Sequence, residues 1–160
     1  MFKKISIILI AILVLAGCSR GKSDNNLTRI DALKAHLVKN YSTLKIDSMV
    51  EAYAGLVADP AQQQQIIDDA KAGYAEMQIQ DIYLLTGTTA VSNESVIGSL
   101  IHFKDTMTLE EARTQLAKDS NFKDQETDIF MNENFAFAVA TINGKRVTPK
   151  SVIAAFQSFK

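Results

Sequence analysis

The sequence predicts an α+β fold, in which a helical N-terminal half precedes a small antiparallel or mixed sheet with helices packed on one side. Three observations lead to this prediction. Apolar residues recur at helical spacing between residues 27 and 77. Two later segments, 95–104 and 134–142, alternate in the manner of strands. Each strand-like segment is followed by residues that start a helix, which favours helices packed on a sheet.

The N-terminal half is expected to hold three helices. Apolar positions at helical spacing predict the first over 27–41 and the second over 49–57, on either side of a break at Ser42 and Thr43. The third begins at Asp59 as N-cap and Pro60 at the first helical position, with Gln63 where a capping-box partner belongs. It should run to about Met77 and bury Ile66, Ile67, Ala70, Tyr74 and Met77.

The pattern then changes to that of strands. Residues 79–86 form an apolar, β-favouring run, followed by a turn at 87–89. In the next strand, 95–104, Ile97, Ser99, Ile101 and Phe103 lie on one face and Val96, Gly98, Leu100 and His102 lie on the other. Thr108 and Glu111 form a capping box for a helix that should direct inward Leu109, Ala112 and Leu116.

The C-terminal segment should form a strand, a turn and a helix. Over 134–142 a bulky face of Phe135, Phe137 and Val139 alternates with an almost smooth alanine face. Asn143-Gly144 is a strong signal for a two-residue hairpin turn. Thr148-Pro149 then opens the last helix, whose apolar face holds Val152, Ile153, Phe156 and Phe159.

The first 17 residues have the features of an export signal. Lys3 and Lys4 precede an uncharged, mostly apolar run from Ile5 to Gly17, and a polar stretch over 19–26 follows. A membrane-spanning helix needs about 20 apolar residues, so this run is too short to span permanently. We therefore expect a signal peptide over 1–17, a lipidated cysteine with a flexible tether over 18–26, and a single α+β domain over 27–160.

The tetrad Leu15-Ala16-Gly17-Cys18 resembles the lipobox of bacterial lipoprotein precursors. The resemblance implies cleavage between Gly17 and Cys18, a diacylglycerol on the Cys18 thiol, and further acylation, for example with palmitate. At least two acyl chains are needed for stable anchoring. Cys18 is the only cysteine of the chain, so an intramolecular disulfide is impossible. The resemblance places the domain outside the cytoplasm, anchored to the cell membrane or to an outer membrane. Ser19, in place of Asp, after the cysteine resembles the pattern of Gram-negative family members that travel to the outer membrane. Beyond residue 26 the chain resembles no family.

The charge balance excludes some partners. Without residues 1–17 the chain has 143 residues, with 15 basic and 18 acidic side chains, a net charge of about −3. Phosphate backbones attract clustered Lys and Arg, which this sequence lacks, so nucleic-acid binding is not expected. The same balance makes the lipid on Cys18 the expected main contact with the membrane.

The sequence offers no catalytic set, metal site or cofactor motif. Its two histidines, His36 and His102, have no second ligand at zinc spacing, and we interpret His36 as lying on the polar side of its helix. Asp124, Glu126 and Asp128 alternate like the start of a calcium loop, but Ile129 and Phe135 occupy the positions that need Gly and Glu. No G-x-S-x-G elbow or phosphate-binding glycine loop is present.

These observations favour a non-enzymatic envelope lipoprotein whose domain binds another envelope protein or a cell-wall component. Two alternatives stay open. One is an exclusion or immunity lipoprotein of a plasmid or phage. The other is a small-ligand or enzyme domain with an unfamiliar site in the acidic stretch 105–133, which holds eight acidic and three basic residues.

Overall fold

A computed structural model describes residues 28–41, 43–88, 94–118, 127–142 and 145–160. The helices in these residues are α1 (Arg29–Asn40), α2 (Met49–Ala54), α3 (Pro60–Glu76), α4 (Leu109–Leu116) and α5 (Lys150–Gln157). The strands are β1 (Lys45–Ser48), β2 (Ile79–Thr88), β3 (Ser95–Phe103), β4 (Thr127–Asn132), β5 (Phe135–Ile142) and β6 (Lys145–Arg146).

The strands form an antiparallel sheet in the order β1-β2-β3-β5-β4, and the short β6 pairs with β5. The central register places Tyr83 opposite Leu100, and Leu100 opposite Phe137. The predicted α+β class is therefore confirmed, and of the two sheet types the described residues adopt the antiparallel one.

Helices cover both faces of the sheet, so the prediction of helices on one side is wrong. On the first face α1 and α5 pack over one core cluster, to which the sheet contributes Tyr83, Leu85, Val96, Leu100, Phe135, Phe137 and Val139. On the second face α2, α3 and α4 pack over another, to which it contributes Ile79, Ile82, Ile101, Phe103, Ala136 and Ala138. Since the central strands are apolar on both faces, each face has to be covered.

The N-terminal half is not purely helical where the structure describes it. β1 lies between α1 and α2 and pairs with β2, from Lys45 opposite Thr86 to Ser48 opposite Tyr83. Its four residues, Lys-Ile-Asp-Ser, are too few and too polar to show the alternation that predicts a strand. The residues form a strand because the edge of β2 supplies partners for their backbone hydrogen bonds. These are tertiary contacts between segments far apart in the sequence.

The starts of α3 and α4 agree with the capping signals, while three other details of the prediction are wrong. Thr108 and Glu111 form the predicted capping box, and Asp59 caps α3 with Pro60 in its first turn. Gln63, however, lies four residues after Asp59, one position past that of a capping-box partner, and its side-chain amide donates to the carbonyl of Val57. Leu109 is 40% exposed, since α4 turns it away from the sheet. Gly87 lies within β2, because that strand continues to Thr88.

The last helix starts one residue later than predicted. Its N-cap is Pro149, whose side chain makes no cap hydrogen bond. The hydroxyl of buried Thr148 instead donates to the carbonyl of Ile97 at 2.6 Å and accepts from its amide at 3.3 Å. Thr148 thus fastens the start of α5 to β3. The predicted turn residues 143–144 lie outside the described residues, while Ile142 pairs with Lys145 on either side of them.

Candidate functional site

The predicted lipidation site falls outside the part of the chain that the structure describes. This holds for Gly17 and Cys18. Asp124 and Glu126 of the acidic run also lie outside it.

Asp128, the third member of the acidic run, lies in β4 and forms an ion pair with a basic side chain. Its carboxylate forms an ion pair with Arg146, whose guanidinium also lies over the Phe130 ring at 5.3 Å. Within the described residues, no three His, Cys, Asp or Glu side chains are grouped so that they could hold a metal ion. The ion pair gives Asp128 a role in joining β4 to β6.

His36 joins the two helices of the first face. Its Nε2 lies 3.1 Å from the carbonyl oxygen of Ala155 in α5, and its ring is 5.6 Å from the Phe159 ring. The expectation that His36 lies on the polar side of α1 is therefore wrong. The side chain is half-buried, because the apolar face of α5 packs beside that side of α1.

His102 is buried on β3 and points to the face that α1 and α5 cover. Its ring stacks on Phe135 with centroids 4.6 Å apart, and Asp81 lies opposite it on β2. Burial lowers the pKa of His102 below its usual 6.5, because an imidazolium loses hydration there, and the Asp81 charge partly offsets this. His102 is therefore neutral at neutral pH.

Tyr83 extends the same polar group along the sheet. It lies on β2 two residues after Asp81, and Lys34 of α1 places its Nζ 3.9 Å from the centre of the Tyr83 ring. Burial raises the pKa of Tyr83, and the charge and hydrogen bonding of Asp81 raise it further. The hydroxyl therefore keeps its proton. We call Asp81, Tyr83 and His102 the polar cluster.

The polar cluster combines a proton donor, a neutral imidazole and a carboxylate on one face of the sheet. Asp81 is fixed by its own backbone neighbour, since its Oδ1 accepts a hydrogen bond of 2.8 Å from the Ile82 amide. A neutral imidazole beside a carboxylate can accept a proton, and a protonated tyrosine can donate a hydrogen bond. These groups could orient a small polar ligand.

The sequence showed His102 but did not show its neighbours. Asp81 and Tyr83 interrupt the apolar run 79–86 at positions two apart, which places them on one strand face. That signal could have marked them as a pair. Their meeting with His102 depends on the register of β2 against β3, which shifts between Ile79 and Asp81. No local pattern specifies such a shift.

Comparison with known proteins finds no matching family model, no matching curated protein and no matching solved structure. Among the described residues, none of the helices is both long enough and apolar enough to cross a bilayer.

Proposed function

We propose that this chain is the precursor of a membrane-anchored envelope lipoprotein, whose domain is a non-enzymatic module that binds another envelope protein or a cell-wall component. The observation that carries the proposal is the tetrad Leu15-Ala16-Gly17-Cys18 after a basic and apolar leader. Cys18 is the lipid acceptor, and cleavage after Gly17 makes it the new N-terminus. The domain then lies outside the cytoplasm, on the cell membrane or the outer membrane.

The absence of a second thiol supports the anchor. A secreted chain with one free cysteine is exposed to oxidation and wrong pairing, and acylation of Cys18 removes that thiol. The contacts of the histidines support a binding role over catalysis. His36 joins α1 to α5 and His102 stacks on Phe135, so each already serves the packing of the fold.

Metabolic labelling with a tagged fatty acid tests the anchor. The wild-type protein should incorporate the label and move to a shorter, processed form. Cys18→Ala should incorporate none and stay unprocessed, because no other thiol can receive the diacylglycerol. Ser23→Ala, within the tether, is the matched control and should label like the wild type. Label persisting in Cys18→Ala would refute the lipoprotein assignment.

A cross-linking experiment in cells tests the binding role. A photoactivatable residue at Leu56, which is 73% exposed, samples a surface that the fold leaves open. We expect a defined adduct with one envelope protein, or with cell-wall material, that is lost when Cys18→Ala prevents anchoring. The same probe at Phe156, which is fully buried, is the control. Equal adducts from both positions, or none from Leu56 and other exposed sites, would contradict a binding module.

The polar cluster favours a second candidate, a domain that binds a small polar ligand. A fragment library screened by NMR against the lipid-free protein would separate the two. Ligands that perturb His102 and Tyr83 together, and lose affinity in Tyr83→Phe, would support it. If the fragments that bind perturb other residues only, or if no fragment perturbs the polar cluster, the small-ligand candidate would be excluded.

A further inference from the structure

The strand β4 forms one edge of the sheet. It ends the strand order β1-β2-β3-β5-β4, and among the described strands it pairs with β5 alone. The register runs from Thr127 opposite Ala140 to Asn132 opposite Phe135, and a two-residue turn at 133–134 joins the two strands. An edge strand presents backbone N–H and C=O groups with which a further strand can pair.

The turn determines which backbone groups of β4 face outward. In a two-residue hairpin the residues that flank the turn exchange both hydrogen bonds, and such pairs then alternate along the strands. Asn132, Phe130 and Asp128 therefore bond to β5. Met131 and Ile129 direct their N–H and C=O groups away from the sheet. No turn or loop backbone group of the described residues bonds to these outward groups.

A contact on β3 agrees with this alternation. Carried across β5, the alternation turns the backbone groups of Ile97 toward the β5 side of β3, one residue beyond the last pair, Gly98 opposite Val139. The Thr148 hydroxyl meets the amide and the carbonyl of Ile97 at that position, at 3.3 and 2.6 Å. The outward direction of the β4 groups is therefore consistent with bonds found elsewhere in the sheet.

The opposite edge of the sheet, at β1, is less suited to a further strand. β1 has four residues, and the same alternation leaves Ile46 as its outward residue ahead of the α2 N-cap. Lys45 and Asp47 flank Ile46 with charged, exposed side chains. Short edges and charged side chains both prevent strand addition. β4 has six residues, and its one charged residue, Asp128, is already paired with Arg146.

A second copy of β4 matches this edge residue by residue. With a two-fold axis at Ile129, each Ile129 lies opposite Ile129 of the second copy, and Met131 lies opposite Thr127. All three residues have outward backbone groups in the alternation, so each N–H meets a C=O. Ile129 and Met131 are half-buried on the second face of the sheet. Pairing therefore also brings apolar side chains together across the axis.

The charges at β4 permit the same pairing. On the first face, the axis sets Asp128 of one copy opposite Phe130 of the other, so that like charges do not lie directly opposite each other. Within one copy, Arg146 forms the ion pair with Asp128 and lies over the Phe130 ring at 5.3 Å. The positive and negative charges at the edge are therefore balanced, and no net charge keeps two copies apart.

We infer that two copies of this chain associate through antiparallel pairing of their β4 strands, which joins their sheets into one across a two-fold axis at Ile129. The occupant is a second copy because one register pairs the outward backbone groups, the apolar side chains and the charges of both strands. The inference goes beyond the proposed function and does not depend on the lipid anchor. Anchoring would add to the association by concentrating copies at one surface.

Disulfide cross-linking of the full-length chain in cells tests the register. Ile129→Cys sets two thiols opposite each other with a Cα separation of about 5.5 Å, which a disulfide spans. Met131→Cys is the matched control on the same strand face, because its two copies would lie four residues, or about 14 Å, apart along the strand. Mild oxidation should give a reducible dimer for Ile129→Cys and little for Met131→Cys. Equal dimer from both variants, or none from Ile129→Cys, would overturn the inference.

The wild-type chain gives the background of this experiment, since Cys18 is its only thiol. A strong dimer band from the wild type would show that the Cys18 thiol is free. That result would contradict the proposed anchor and not the strand pairing. The comparison of Ile129→Cys with Met131→Cys is then made with Cys18→Ala in both variants, where the same outcomes decide.

A charge exchange tests the contact without a thiol. Two differently tagged full-length copies are produced together, and one tag is captured. Ile129→Lys in both copies should reduce co-purification roughly tenfold, because like charges lie directly opposite each other. Combining Ile129→Lys with Ile129→Glu should restore it, which a variant that failed to fold would not do. Ile46→Lys in both copies is the control at the β1 edge. Co-purification that is insensitive to the charges at 129, or that falls equally with Ile46→Lys, would contradict the inference.

Discussion

Gly98→Ala tests a close contact between the Phe137 side chain of β5 and the backbone of β3. A Cβ at residue 98 would lie 2.5 Å from Phe137 Cε2 and 3.0 Å from the Ala138 carbonyl oxygen. Ordinary carbon–carbon contacts are about 3.5–4.0 Å, so the added methyl group would overlap the ring by about 1 Å. Because the side chain of glycine is a single hydrogen atom, the Phe137 ring can lie close to the backbone of β3 at Gly98.

Phe137 has little room to yield to that methyl group. Its side chain is buried and lies 5.6 Å, between ring centroids, from Phe156 of α5. Moving the ring would disturb the packing of α5 on the first face. Overpacking of this kind costs about 1–3 kcal/mol, which is a large part of the roughly 5–15 kcal/mol that stabilises an ordinary domain.

Urea unfolding of residues 19–160, which lack the leader and the cysteine, measures the effect. Gly73→Ala is the matched control, since a Cβ there meets nothing within 4 Å and alanine is favoured over glycine in a helix by about 1 kcal/mol. The same chemical change should thus lower the midpoint at 98 and raise it at 73. Phe137→Leu should recover part of the loss in Gly98→Ala. A Gly98→Ala midpoint equal to that of the wild type would refute the packing argument.

Three further predictions each concern the stability contribution of one residue. Because burial lowers the pKa of His102, the unfolded chain binds a proton at a higher pH than the folded chain, so the free energy of unfolding is highest above about pH 6.5 and falls as the pH decreases below it. His102→Gln should make the free energy of unfolding less dependent on pH between about pH 6.5 and 5. An unchanged pH dependence in this variant would exclude His102 as its source. Thr148→Val should lower the free energy of unfolding by about 1–3 kcal/mol, because the Ile97 backbone groups lose their partner. Thr148→Ser keeps the hydroxyl and should retain most of the stability. Equal losses of stability in both variants would point to packing instead of hydrogen bonds. Gln78→Gly should stabilise the protein by roughly 0.8 kcal/mol, because relief of a left-handed backbone with φ of 59° is worth about 1–2 kcal/mol against an entropy cost of about 0.4–1 kcal/mol. A lower thermal midpoint would show that the Gln78 side chain contributes more than its backbone strain costs.

Local signals in the sequence determined most of the element types and many of their starts. Asp59 with Pro60 and Thr108 with Glu111 mark helix starts through bonds between residues two or three apart. Alternation along β3 and β5 assigned their two faces correctly, since neighbouring side chains of a strand point in opposite directions. The resemblance of residues 15–18 to a lipobox is equally local, because a short contiguous peptide carries it.

Tertiary contacts decided the rest. β1 was not predicted because its four polar residues form a strand only through the backbone of β2. The second layer of helices follows from apolar residues on both faces of the central strands, which α3 and α4 cover once the sheet exists. The polar cluster depends on the irregular register that sets Asp81 opposite His102. The sequence by itself determined the helices and the strands with clear alternation, and it predicts the lipid anchor. Register, layering and the grouping of side chains from distant segments needed the folded chain, because the interactions that select them join residues far apart in sequence.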